Sequence, residues 1–150
     1  VFYIPGYNVR STDLNAFLGI RQIDKMERLI KSRSENHSRY TQLLGSFFQC
    51  QKAPDQSVVC SIHFGALAHS REQRKAIVSA LLENGIETRI FSAGNLGLHP
   101  FWTRSYGETS FPVADRIHHA GFFLPNHPSL GEKDIEFIVR VVLQAASVTS

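Results

Sequence analysis

The segment PGYNVRSTDLN, residues 5–15, combines residue types that suit the binding of an anion. Asn8 can donate through its side-chain amide, and Arg10 can bind a carboxylate or phosphate through two parallel N–H groups. The capping residues at 11–13 predict a helix start, where free backbone N–H groups and the helix dipole favour negative charge. A plain turn with a surface arginine fits the same spacing, so both interpretations stay open.

A second segment, RIFSAGNLGLHP at 89–100, places Asn95 and His99 in a glycine-rich loop. Gly94 would let the backbone approach a ligand closely, because glycine has no side chain to exclude it. The alternative is a turn that needs a positive φ at Gly94 or Asn95.

A third segment, FLPNHPSL at 123–130, holds Asn126 and His127 between two prolines. Proline fixes its own φ, so this is a rigid loop that can present both side chains to a ligand. The alternative is a simple connector from a strand to a helix, with Asn126 as its turn residue.

Composition indicates a globular domain that binds neither nucleic acid nor membranes. Hydrophobic residues make up 43% of the 150 residues, and a net charge of +3 is too weakly basic for a nucleic-acid protein. Cys50 and Cys60 lack CxxC spacing, which favours reduced thiols over a disulfide. With no signal peptide and no apolar run of membrane-spanning length, we expect a cytoplasmic protein.

Motif searches exclude several kinds of active site. The chain has no GxSxG, HExxH, Walker or complete GxGxxG motif. None of its seven histidines has the spacing of metal ligands, so we expect no metal site. The chain begins at Val1 with a turn at 5–8 that has no element before it, and Met26 is its only methionine. We therefore expect that an N-terminal part is missing.

Hydrophobic periodicity predicts an α/β sandwich, in which helices pack on a small three-stranded sheet. The segment 12–48 is longer than one ordinary helix, so we expect a bend near residues 19–24. Ser129 and Glu132 form a predicted capping box for the last helix. The predicted helices span 12–48, 70–85, 111–119 and 129–146, the predicted strands span 57–67, 86–91 and 120–125, and the predicted loops include 52–56 and 92–102.

Three blocks of the sequence together resemble the DegT/StrS-type nucleotide-sugar aminotransferases. They are GYNVRSTDLNAFLGIRQ, NGIETRIFSAGN and FFLPNHPSLGEKDIEFIV, and they follow the family's order over nearly the whole chain. The resemblance implies the C-terminal portion of a fold-type I enzyme that uses pyridoxal phosphate or pyridoxamine phosphate. Residues 1–12 would then end the large cofactor domain as an interface loop, and residues 13–150 would form the small domain.

The resemblance also implies roles for individual residues. Asn8 would contact the cofactor phosphate of the neighbouring subunit in a homodimer. A nucleotide-linked keto-sugar would meet Arg10, Asn95, His99 and His127. The chain itself would carry no catalytic residue, because the Schiff-base lysine, or the histidine that replaces it, lies upstream.

The sequence AGN at 93–95 is similar to the 4-keto-6-deoxysugar 3-dehydratase branch, which uses pyridoxamine phosphate. This favours dehydration, in deoxysugar and surface polysaccharide biosynthesis, over transamination with glutamate. A non-catalytic binding or regulatory domain that retains the small-domain fold is the alternative.

Overall fold

The structure is a computed structural model that describes residues 11–89 and 91–148. Asn8 and Arg10 lie outside the described residues. The elements in chain order are α1 (Asp13–Ile23), α2 (Met26–Leu44), β1 (Gln49–Cys50), β2 (His63–Leu67), α3 (Arg71–Glu83), α4 (Pro100–Tyr106), α5 (Pro112–Ala120), β3 (Gly121–Pro125) and α6 (Glu132–Ser147), with 3-10 turns at Phe91–Ala93 and Leu96–Leu98.

The sheet is antiparallel in the order β1-β2-β3. His63 lies opposite Pro125 and Leu67 lies opposite Gly121, so β2 and β3 pair along their full lengths. The predicted fold class, a three-stranded sheet packed with helices, is confirmed.

The predicted strand 86–91 is wrong, since none of residues 86–89 and 91 belongs to the sheet. Thr88 contacts β3 through its side chain, whose hydroxyl donates to the carbonyl of Phe123 at 2.7 Å. A ladder needs backbone donors and acceptors on both strands, and this contact supplies only a side chain. The third strand is instead β1, whose two residues gave no sequence signal.

The core lies between one face of the sheet and the helices α2, α3 and α6. Its fully buried side chains come from all of these elements: Tyr40, Leu44, Phe64, Ile77, Leu81, Phe122, Leu124, Ile135 and Val142. On the other face, the ring of Phe91 stacks on Phe123 at 4.2 Å and lies over Gly65. A Cβ at Gly65 would stand 2.7 Å from that ring, which explains the glycine.

The predicted bend in the first helical segment is confirmed as a break at Asp24–Lys25 between α1 and α2. α2 contributes Tyr40 and Leu44 to the core, whereas α1 contains no buried residue. The large apolar side chains of α1 are therefore exposed, at 56% for Phe17 and 63% for Ile20.

Helix α3 begins as predicted, because the Ser70 hydroxyl accepts from the backbone N–H of Gln73 at 3.0 Å. It is followed by Gly85, whose φ of 69° is left-handed. The predicted cap of α6 at Ser129 and Glu132 is wrong. Gly131 is the N-cap, and its N–H donates to Asp134 Oδ2 at 2.8 Å.

Helix α4 begins within the predicted loop 92–102, so that prediction is wrong over residues 100–102. Proline at the first position of a helix loses no intrahelical hydrogen bond, and Pro100 occupies that position. Within residues 11–89 and 91–148, no helix is long and apolar enough to cross a membrane.

Candidate functional site

Asn95 forms the centre of the loop between Phe91 and His99. It is 3% exposed, and its Oδ1 accepts from the Gly97 backbone N–H at 2.8 Å. Its Nδ2 donates to Asp115 Oδ1 on α5 at 2.7 Å. The side chain thus caps the 3-10 turn Leu96–Leu98 and ties the loop to a helix.

The backbone before Asn95 is left-handed at two consecutive residues, with φ of 62° at Ala93 and 73° at Gly94. Of the two positions that the sequence suggested for a positive φ, Gly94 is confirmed. A Cβ on Gly94 would stand 2.0 Å from Nδ1 of His118. That same nitrogen accepts from the backbone N–H of Asn95 at 3.1 Å, so the loop backbone lies directly against α5.

His99 ends the loop and is the N-cap of α4. Its Nε2 is 3.1 Å from the carbonyl oxygen of Ala93, which closes the segment 93–99 on itself. His99 is half-buried, and its ring lies next to Phe101, at 6.1 Å between ring centroids. The loop therefore presents one half-buried histidine on a backbone held at both ends.

His127 lies at the other end of β3, beside a different cavity. Its Nδ1 is 2.6 Å from the hydroxyl of Ser129, and its carbonyl accepts from Asn36 Nδ2 at 3.2 Å. The cavity has a volume of about 170 Å³ and is lined by Arg33, Ile62, His63, Glu87, Thr88, Arg89, Pro125, Asn126 and His127. Neither Asn95 nor His99 lines it. The predicted substrate residues thus divide into two places.

Asn126, next to His127, is 1% exposed and holds three segments together. Its Nδ2 donates to the carbonyl of Arg33 at 3.1 Å and to the carbonyl of Ser61 at 2.9 Å. The Ser61 hydroxyl in turn is 3.0 Å from Nδ1 of His37. Burial lowers the pKa of His37, because the charged imidazolium is the form that loses hydration.

The sequence analysis missed two sets of residues that belong to these two places. Asp115 and His118 on α5 anchor the Asn95 loop, and their spacing of three residues on one helix face was the available signal. Arg33 lines the cavity beside His127 but reads in sequence as one of several basic residues on a solvated helix. In the part of the chain that the structure describes, no three His, Cys, Asp or Glu residues are grouped to hold a metal ion.

The chain belongs to the DegT/DnrJ/EryC1/StrS aminotransferase family, whose sequence model matches residues 2–143. The resemblance seen in the three sequence blocks is thereby confirmed. Lipopolysaccharide biosynthesis protein RfbH of Salmonella typhimurium is 29% identical over 143 residues, which are 89% of this chain and 32% of that protein. GDP-4-keto-6-deoxy-D-mannose 3-dehydratase of Yersinia pseudotuberculosis is 28% identical, over 84% of this chain and 33% of that protein. GDP-perosamine synthase of Escherichia coli O157:H7 is 25% identical, over 90% of this chain and 36% of that protein.

Solved structures share the fold. E. coli GDP-4-keto-6-deoxy-D-mannose-3-dehydratase with bound hydrated PLP superposes with a TM-score of 0.78 at 24% identity, over 95% of this chain and 38% of that one. The aminotransferase TlmJ of Streptoalloteichus hindustanus superposes with a TM-score of 0.82 at 23% identity, over 93% of this chain and 38% of that one. The chain spans about a third of the length of the curated relatives that it matches.

Proposed function

We propose that this chain is the C-terminal portion of a pyridoxal phosphate- or pyridoxamine phosphate-dependent enzyme that acts on a nucleotide-linked keto-sugar. The observation that carries the proposal is the match of the aminotransferase family to residues 2–143. The relatives support the substrate class, because two of them are named for GDP-linked sugars. We place the full-length enzyme in the cytoplasm, where such activated sugars are made.

In the proposed domain organisation, residues 1–12 form the end of the large cofactor domain and residues 13–150 form the small domain. Asn8 would donate to the cofactor phosphate of the neighbouring subunit in a homodimer, and Arg10 would bind an anionic group of the substrate. Both assignments rest on the GYNVR block of the sequence.

The described residues do not by themselves fit a complete pyridoxal phosphate site. The cavity beside His127 has no lysine in its lining, and its one carboxylate, Glu87, already accepts from Arg89 at 3.2 Å. When bound in the full-length enzyme, the cofactor supplies an electron sink that stabilises a carbanion on the substrate. In this proposal Asn8 binds the cofactor phosphate, and the other predicted site residues of this chain contact the substrate.

We propose that the loop 91–99 orients the substrate. His99 is half-buried, and the part of its imidazole that reaches solvent would make a direct contact. Asn95 is buried with both polar atoms engaged, so its effect on substrate binding would come through the loop that it holds. His127 would contact the substrate from the other end of β3.

We favour dehydration over transamination, because AGN at 93–95 follows the TR pair as in the dehydratase branch. The relatives include both a 3-dehydratase and an aminosugar-forming synthase, in keeping with either reaction. The name of RfbH supports a role in lipopolysaccharide biosynthesis.

The reaction is tested with the full-length protein, a GDP-linked 4-keto-6-deoxysugar and glutamate. A 3-deoxy product is expected. An amino sugar without any 3-deoxy product would rule out the dehydratase branch and leave the transaminase. Failure to form either product, by folded protein with cofactor present, would contradict the proposed enzyme and favour a non-catalytic domain.

The cofactor role of Asn8 is tested in the same protein with Asn8→Ala. We expect faster loss of cofactor on dialysis, with the circular dichroism spectrum unchanged. Cofactor affinity equal to that of the wild type would contradict the phosphate contact.

A further inference from the structure

Two histidines hold the loop 91–99 through hydrogen bonds that need opposite states of the ring nitrogen. Nδ1 of His118 accepts from the backbone N–H of Asn95 at 3.1 Å. A backbone N–H only donates, so this nitrogen carries no proton. Nε2 of His99 lies 3.1 Å from the carbonyl oxygen of Ala93, which only accepts, so that nitrogen carries a proton. The first bond therefore exists only with a neutral imidazole, whereas the second exists with a neutral or a charged one.

A proton added to Nδ1 of His118 has no acceptor in this arrangement. It would point at the backbone N–H of Asn95, so two N–H groups would face each other where one hydrogen bond had been. The neighbouring backbone leaves no room to turn aside, because even a Cβ on Gly94 would collide with the imidazole. The charged ring and the loop therefore cannot both keep the positions that they have in the structure.

The loop, rather than the helix α5, is the part that would move. Ala93 has a φ of 62°, a left-handed conformation that a residue with a Cβ rarely adopts, so it gains when the loop relaxes. The end of α5 is held independently of the loop, because the carbonyl of Ala120 accepts from the backbone N–H of Ala68 at 2.9 Å. Loss of the bond between His118 and Asn95 would therefore release the loop and leave α5 in place.

Charged groups of both signs surround His118 on α5 itself. Asp115 lies one turn earlier, and its carboxylate accepts from Nδ2 of Asn95 at 2.7 Å. The exposed ring of His119 lies 4.9 Å from that of His118. Arg116 donates to a glutamine of β1 at 2.7 Å, so its guanidinium is directed towards the edge of the sheet. None of these groups replaces Nδ1 of His118 as the acceptor for the loop backbone.

The elements packed against α5 add few titratable or charged groups. On α3, Nε of Arg74 donates to the carbonyl of Gly121 at 2.7 Å, just beyond the last residue of α5. The strand β3, with the sequence GFFLP, contains no charged residue. In the loop 91–99, His99 is the one residue that can titrate, and its bond to the loop survives protonation. The titration that acts directly on the loop is thus that of His118.

We propose that protonation of His118 controls the order of the loop 91–99, which is held while Nδ1 is unprotonated and released when Nδ1 takes up a proton. Imidazoles titrate between about pH 5 and pH 8, so the loop should become less ordered as the pH falls through this range. The inference rests on the proposed function for one detail, that the loop orients a substrate. His118 is then a positioning residue that acts through Asn95.

Nuclear magnetic resonance of the isotopically labelled chain tests the starting state. The ¹⁵N shift of Nδ1 reports whether that nitrogen of His118 carries a proton, and we expect it to be unprotonated at pH 7.5. A neutral ring with its proton on Nδ1 would overturn the inference, because it could not accept from Asn95.

Amide hydrogen exchange then measures the order of the loop as the pH changes. The protection factor of the Asn95 amide, which corrects for the effect of pH on exchange itself, should fall at least about tenfold from pH 7.5 to pH 5.0. The amide of Ala68, which is bonded to Ala120 at the end of α5, is the internal control and should fall less. Equal falls would overturn the inference in favour of a loss of global stability. Constant protection of Asn95 would overturn it as well.

His118→Asn separates the titration from the structural role. Its Oδ1 can accept from the backbone N–H of Asn95 in place of Nδ1, and an amide does not titrate. We expect the protection of Asn95 to stay within about threefold of the wild-type value at pH 7.5 and to persist at pH 5.0. A fall as large as that of the wild type would overturn the inference. If His118→Asn fails to fold, the wild-type measurements still decide the matter.

Two other histidines provide matched controls. His119→Gln removes the exposed histidine that follows His118 on α5. His99→Gln replaces the other histidine bonded to the loop by an amide that can donate to Ala93 without titrating. Both variants should keep the fall in protection at Asn95. Its disappearance in either variant would assign the controlling proton to that residue and overturn the inference.

These measurements need neither cofactor nor turnover. Inactivity of the full-length enzyme would contradict the proposed function and would leave the exchange result at Asn95 unchanged. An Asn95 amide that does not respond to pH would contradict the role of His118 and would leave the proposed function unchanged.

Discussion

Nδ2 of Asn95 donates to Oδ1 of Asp115 at 2.7 Å, across 20 residues of sequence. The bond joins the loop 91–99 to α5, and Nδ1 of His118, one turn further along that helix, accepts from the Asn95 backbone. Two residues of one helix thus fix both the side chain and the backbone of Asn95. The left-handed pair Ala93 and Gly94 is held in place by these contacts.

Asn95→Asp should destabilise the chain at pH 7, because it places a carboxylate against Asp115 and removes a buried donor. We expect a loss of roughly 2–3 kcal/mol in the free energy of unfolding, measured by urea denaturation. Two carboxylates at that distance cannot both stay charged, so the folded variant binds more protons than the unfolded chain. Its stability relative to the wild type should therefore recover as the pH is lowered towards 4.

The exchange Asn95→Asp with Asp115→Asn is the matched control. The double variant again pairs one amide with one carboxylate, now with the amide donor at position 115. It should recover at least half of the lost free energy of unfolding. A single variant with wild-type stability at pH 7 would show that the Asn95–Asp115 bond contributes nothing.

Gly94→Ala should destabilise the chain more than Gly85→Ala. Both glycines have a positive φ, 73° and 69°, so both variants meet a similar backbone penalty of about 1–2 kcal/mol. Only at Gly94 would the new Cβ collide with His118, whereas at Gly85 nothing lies within 4 Å. We expect an additional loss of about 1–3 kcal/mol at Gly94, measured by thermal unfolding. Equal losses would mean that the loop moves away from α5 without cost.

The stability of the chain should fall as the pH drops through the range where His37 becomes protonated. Burial holds the pKa of His37 below its ordinary 6.5, so the unfolded chain binds this proton more tightly than the folded chain. The contribution of His37 is thus fully present above pH 6.5 and is lost as the pH falls through the lower, folded-state pKa.

His37→Gln should flatten this part of the profile, with His119→Gln, an exposed histidine, as the control. The measurement is urea unfolding at pH 7.5, 6.5, 5.5 and 4.5. If the free energy of unfolding of His37→Gln depends on pH as strongly as that of the wild type, another group causes the loss of stability at low pH.

The exposed apolar residues of α1 should make the isolated chain self-associate. Phe17 and Ile20 are more than half exposed, and α1 buries none of its residues in the fold. Replacing both by glutamine should lower the weight-average mass in sedimentation equilibrium. Thermal stability should change little, because exposed positions contribute only about 0.5 kcal/mol each. Val113→Gln, at a 74% exposed position of α5, is the control. The same mass in wild type and variant would exclude α1 as the contact.

Sequence reasoning located every helix except α4, because the signals of a helix are local. The cap at Ser70 and the left-handed Gly85 set the limits of α3, and the break at Asp24–Lys25 follows the change of hydrophobic phase. The strand prediction for IETRIF failed because β propensity does not supply a ladder partner. Thr88 reaches Phe123 by its hydroxyl, and Ile86 is 7% exposed in the core without belonging to a strand.

The sequence marked the irregular segments that hold the candidate site residues, but it did not reveal their long-range partners. Asn95, His99 and His127 stand in irregular segments rich in glycine and proline, which sequence can mark. The contacts of Asn95 with Asp115 and of Asn126 with Arg33 span 20 and 93 residues. Such pairings depend on how distant elements pack, so a single sequence carries no direct signal for them.

The brevity of β1 has a consequence for how the chain behaves at high concentration. Only Gln49 and Cys50 pair with β2, so β1 itself offers an incoming strand very few free backbone groups. Short margins of this kind are one way in which natural proteins discourage intermolecular strand pairing and fibril growth. Addition of a strand to β1 would accordingly be limited to two residues.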